Sequence, residues 1–166
     1  MDLETTPEFV ITQMRVLKMG QMTYFYVTNQ PISFDHLDHA LDSLLQSLYA
    51  SKAQTNLTDA GPDIVRYYPA GIDKPGLFIL EVGVLVKPGT KPAGEALVKN
   101  LPPYHCASLL LWGGLLAHIG QTYETLSQSI QAAGLERTGE CREYNYWFES
   151  VDSPNNLMGV YMGIVP

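Results

Sequence analysis

Cationic residues are scarce in this chain. Lys and Arg together number 10 in 166 residues, against 17 Asp and Glu, which gives a formal net charge of −7. No basic cluster occurs, so direct nucleic-acid binding is not expected, because neutralising phosphates needs clustered cations. Cysteine is nearly absent: Cys106 and Cys141 each stand alone in apolar or strand-like sequence. Such singlets read as buried free thiols, and nothing in them demands a secreted compartment. No apolar run approaches the roughly 18 residues of a membrane helix. The first residues, MDLETTPEF, are acidic and polar rather than leader-like, and the glycosylation triplet Asn56-Leu57-Thr58 therefore carries little weight. A soluble, cytoplasmic protein is expected. There is no G-x-S-x-G elbow, no GxGxxG and no phosphate loop. His36, His39, His105 and His118 lack metal-ligand spacing, so neither a metal nor another cofactor is expected.

What the chain does have is hydrophobic residues at 46 %, enough for a substantial core, and a repeated order of elements. Residues 9–17 and 23–28 read as strands that would pair as a hairpin around Gly20. Ser33 is a plausible N-cap for a helix whose stripe runs from Phe34 through Leu37, Leu41, Leu44, Leu45 and Leu48. Residues 63–68 and 77–86 are strands, the second almost wholly apolar apart from Glu81. After the Pro/Gly-rich linker KPGTKPAG the order restarts. Residues 95–101 and 105–112 suggest a hairpin, Gly113-Gly114 a corner, and Leu115, Leu116, Ile119, Tyr123, Leu126, Ile130 and Ala133 a second helix ended by Gly134. Strands at 141–148 and 157–165 follow. Strand-strand-helix-strand-strand thus occurs twice. The fold expected is α+β: a single domain over 1–166 built of duplicated modules, about 8–87 and 95–166, with mostly antiparallel sheets, pseudo-two-fold symmetry and a cleft between the modules.

The stretch Leu101–Leu135 resembles the GyrI-like family, the effector-binding domains of AraC- and MerR-type regulators. Leu101-Pro102, Ala107, Leu109, Gly113, Tyr123 and Gly134-Leu135 stand in the places of that pattern. Further anchors are Val65-Arg66-Tyr67-Tyr68, Glu81-Val82-Gly83-Val84 and Arg142-Glu143-x-x-x-x-Phe148. With no helix-turn-helix ahead of it, the resemblance implies a stand-alone ligand-binding domain. The chain departs from the pattern where the family often carries a glutamate on its final strand: Gly159 occupies that place.

The candidate ligand contacts are aromatic and acidic. Tyr26, Tyr68, Trp112, Tyr123, Tyr146, Phe148 and Tyr161 are expected to line the cleft, where ring faces hold flat or cationic molecules. Glu81, inside LFILEVGVLV, and Glu149, ending the aromatic strand, are the candidate cation partners or general bases. Glu143 reads as a cross-strand salt-bridge partner. Three roles follow from the resemblance: binding a hydrophobic or aromatic drug or metabolite; hydrolysing strained cyclopropane-type drugs with a cleft glutamate; or serving as an acidic protein-interaction module of the gyrase-inhibitor kind. A protein partner or a homodimer is left open.

Overall fold

A computed structural model describes residues 9–57 and 59–166. The strands are β1 (Phe9–Ile11), β2 (Arg15–Met19), β3 (Met22–Thr28), β4 (Asp59–Pro69), β5 (Phe78–Val86), β6 (Leu97–Leu101), β7 (Tyr104–Gly113), β8 (Arg137–Trp147) and β9 (Leu157–Ile164). Helix α1 (Leu37–Ala53) precedes β4 and helix α2 (Leu115–Ala132) precedes β8. All nine strands belong to one antiparallel sheet, so the α+β, duplicated reading holds.

Neither expected hairpin forms. β2 and β3 run together against β6 and β7 in one unbroken register, from Arg15 opposite Ser108, through Met19 opposite Tyr104 and Met22 opposite Leu101, to Tyr26 opposite Leu97. The physical reason lies in the two short connections. A two-residue hairpin turn needs positive φ at a central residue. Pro102-Pro103 cannot supply it, because the proline ring holds φ negative. Gly20 is not among the glycines with positive φ either. The chain therefore bends at these points without reversing. Since β3 also pairs with β5 and β7 with β9, the pairing runs β3–β5–β4–β8–β9–β7 and returns through the shared ladder. The sheet closes on itself.

Closure gives the sheet an inner and an outer face. Alternation along the strands puts Tyr24, Ile64, Leu101, Tyr104, Cys106, Tyr144 and Tyr161 together inside. These rings lie against glycines: a Cβ added at Gly83 would sit 2.6 Å from Tyr24 Cε2 on the neighbouring strand, and one at Gly159 2.5 Å from Tyr161 Cε2 on its own strand. The outer face carries the helices. Ala40, Leu44 and Leu48 bury α1 on β3 and β5, while Leu126 and Ile130 bury α2 on β7 and β9. The Ser33 hydroxyl makes no cap hydrogen bond, and a 3-10 turn at Phe34–His36 leads into α1. Gly134, at φ +68°, ends α2, and the Leu135 N–H donates to Ile130 O in the six-to-one bond of a Schellman stop.

Candidate ligand cleft

The two helices cover the outer strands of each half and leave the central pair, β4 and β8, open between them. Each helical stripe is wider than its buried contact. Leu41 and Leu45 of α1, and Leu115, Ile119 and Tyr123 of α2, are only half-buried and face each other across the gap. The floor is a row of directly opposed residues: Asp63 with Asn145, Val65 with Glu143, Tyr67 with Cys141. Val65, Glu143, Leu41 and Ile119 are common to two lobes. One lobe, about 350 Å³, ends at Tyr49, Phe148 and Val151. The other, about 640 Å³, ends at Phe34, Tyr67, Tyr123 and Arg137.

The loop after β8 builds the mouth of the first lobe. Glu149 accepts from Ser153 Oγ at 2.6 Å, Asn155 Nδ2 at 3.2 Å and Trp147 Nε1 at 3.3 Å, and these bonds lower its pKa. Fully buried Asn156 ties the same loop to Glu149 N and Ser150 O. The Val151 carbonyl then accepts from the Leu115 and Leu116 N–H groups, satisfying donors at the start of α2 that no side chain caps. Phe148 and Val151 are thereby held at the cleft edge.

Glu143 sets the chemistry of the floor. Among the described residues it has no ion pair. It is half-buried and lines both lobes beside Leu41, Val65 and Ile119. Burial pushes its carboxyl up to about 7, and the Tyr123 hydroxyl works against that rise. Tyr123 Oη is itself buried without a hydrogen bond of regular geometry, its ring 6.4 Å from that of Tyr67. Burial raises the Tyr123 pKa, so this hydroxyl stays protonated at neutral pH. The rim adds Asp42 and Asp63 at one lobe and Asp38 and Glu124 at the other, with Arg137 the single cation in either lining.

The candidate residues divide between the faces. Tyr123 and Phe148 line the cleft. Tyr26, Tyr68, Glu81, Tyr146 and Tyr161 fall on the inner face by register and contacts, away from the helices, and Trp112 shares that face at the open end of the sheet. Glu81 is 2 % exposed and fully engaged: Arg66 Nη1 donates at 2.8 Å, Lys99 Nζ at 2.5 Å and Tyr68 Oη at 3.3 Å. Arg66 and Lys99 also lie over the Tyr68 and Tyr26 rings. Glu81 is thus the salt-bridged carboxylate and Glu143 the unpaired one, the reverse of the assignment made from sequence. The signal available was the alternation in CREYNYW. The tyrosines occupy one side of that strand, so the glutamate must occupy the other. His118 stacks on Phe9 with centroids 3.9 Å apart.

No protein-family model matches the sequence, and no curated protein does. Solved structures share the fold. The EcmrR C-terminal domain aligns with a TM-score of 0.70 at 15 % identity, covering 92 % of this chain and 97 % of that one. SAV2435 bound to tetraphenylphosphonium aligns at 0.71 and 12 %, covering 93 % and 94 %. A hydrolase encoded by lin2189 from Listeria innocua aligns at 0.57 and 10 %, covering 92 % of each. The chain has the GyrI-like fold of these structures. Among the described residues no helix is long and apolar enough to cross a membrane, and no cluster of potential metal ligands occurs.

Proposed function

We propose that the chain binds a hydrophobic, aromatic cation in the cleft between α1 and α2, with Glu143 as the counter-ion. The observation that carries this reading is a carboxylate on the cleft floor that has no ion pair among the described residues, with Arg137 the single cation in either lining. An uncompensated charge in such a place is unfavourable in the empty protein, and a ligand that brings the opposite charge relieves the cost. Phe148, Tyr67 and Tyr123 supply ring surface for the apolar part of the ligand. The tetraphenylphosphonium held by SAV2435, which shares the fold, belongs to this chemical class.

The test uses two ions of one shape. Tetraphenylphosphonium and tetraphenylborate are near-isosteric and opposite in charge. Ligand that binds the native state raises Tm with concentration. The cation should raise Tm and the anion should not; equal shifts would show that shape alone is read.

One observation favours a second, hydrolytic reading. The protonated Tyr123 hydroxyl and the Glu143 carboxyl, whose pKa lies near neutrality, both line the larger lobe, and the hydroxyl acts on the carboxylate. Such a pair suits proton transfer, the carboxylate taking a proton from water and the phenol giving one to a leaving group. Strained cyclopropane-type compounds are the substrates to assay. Product formation that Glu143→Gln abolishes, with binding retained, would establish an enzyme.

A further inference from the structure

A second cavity, about 390 Å³, opens on the inner face at the end of the sheet remote from Glu81. Its lining comes from three neighbouring strands in register: Arg15 lies opposite Ser108, and Ser108 opposite Tyr161. The bulge in β8 between Asn145 and Trp147 brings Tyr146 to the same place, with Leu17, Leu110 and Leu157 as apolar walls.

The donors here outnumber their acceptors. Tyr146 and Tyr161 share one hydrogen bond between their hydroxyls, so one of the two O–H groups is left to donate elsewhere. Thr12 Oγ1 accepts from Leu110 N at 2.9 Å and keeps its own proton free. Ser108, only 6 % exposed, has no hydrogen bond to any described residue. Arg15 is exposed at the cavity edge and has neither an ion pair nor a hydrogen bond among the described residues, in a protein of net charge −7. No carboxylate contributes to the lining. A hydroxyl open to the cavity and an exposed guanidinium at its edge, neither paired with a protein acceptor among the described residues, are the complement of an anion, and a guanidinium with adjoining hydroxyls suits a carboxylate.

We propose that this cavity is a second ligand site, specific for a small aromatic carboxylate, its acid group on Arg15, Ser108 and the tyrosine pair and its ring against Leu110 and Leu157. The site is independent of the cleft, lies on the other face of the sheet, and selects the opposite charge.

Both tryptophans of the chain, Trp112 and Trp147, are opposite Leu157 at the cavity edge and 58 % and 62 % exposed, so their fluorescence reports occupancy. The probe is 2-naphthoate, with uncharged 2-naphthamide as its control. Expected is saturable quenching by naphthoate below about 1 mM, at least tenfold weaker binding of the amide, and at least tenfold loss on Arg15→Gln. Tyr146→Phe, which removes a hydroxyl and little volume, should cost about threefold. Tetraphenylphosphonium should not displace naphthoate, and Glu143→Gln should leave naphthoate binding unchanged. Failure to saturate, equal binding of the amide, indifference to Arg15→Gln, or displacement by the cation would each overturn the proposal. The cation-binding reading of the cleft is read out separately and survives any of those results.

Discussion

Glu81 and Glu143 sit two strands apart in one sheet and are treated in opposite ways. On the inner face Glu81 is held by Arg66, Lys99 and Tyr68. On the outer face Glu143 lies between two helices with Val65 directly across the ladder and no ion pair among the described residues. A carboxylate already neutralised by the protein has no charge left to offer a ligand. One left uncompensated in an apolar cleft is poised for a ligand that brings a cation. The contrast separates a salt-bridged acid from an unpaired one where sequence pattern alone cannot.

The largest effect expected is on the inner face. Glu81→Gln leaves Arg66 and Lys99 without their shared partner inside the sheet, and should destabilise by about 3 kcal/mol in urea titrations. The folded variant should bind tetraphenylphosphonium as the parent does. A fall in affinity without a fall in stability would break the comparison. Gly159→Ala comes next. A Cβ there meets Tyr161 Cε2 at 2.5 Å and Tyr146 Cε2 at 2.9 Å, so both rings must shift, at a cost of about 2 kcal/mol by the same titration.

The pairing of the two acids shows where the sequence was legible and where it was not. Element types and order came through because each rests on local pattern: Leu44 and Leu48 at helical spacing, Gly134 just past the last stripe residue, alternation in residues 141–147. The duplicated order was legible for the same reason. Pairing partners were not. Met19 and Met22 look like the ends of a hairpin, and only the φ constraint of Pro102-Pro103 on the facing strand argues otherwise. Once the sheet closes, the tyrosines fill its interior, which is why Tyr26, Tyr68, Tyr146 and Tyr161 are absent from the cleft. Tyr123 and Phe148 were recoverable from the helix stripe and the strand end. Alternation in CREYNYW sets Glu143 on the face opposite the tyrosines, but nothing local distinguishes an unpaired acid from a paired one.

The outer face supplies the smaller effects, and they sharpen the comparison. Glu143 has a folded-state pKa of about 7, above that of an exposed glutamate. Its ionised form is the unfavourable one in the folded protein. Stability should therefore fall as pH rises from about 4.5 to 7 and stay level above that for this group. Cation affinity should move the other way, rising about tenfold between pH 5.5 and pH 8 as the carboxylate forms. Glu143→Gln removes the uncompensated charge and should stabilise the empty protein by about 1 kcal/mol at pH 8, measured in urea, whereas Glu81→Gln destabilises it. The smallest effect belongs to Tyr123→Phe. Losing the hydroxyl that favours ionised Glu143 should move the midpoint of the binding–pH curve upward by a few tenths of a unit.

The most direct test of the central claim is a calorimetric titration of tetraphenylphosphonium into the parent protein and Glu143→Gln at pH 8. Saturable binding by the parent, weakened at least tenfold in the variant with the fold intact, is the predicted result. Equal affinity in the two proteins would contradict it, and would return Glu143 to the structural acids with Glu81.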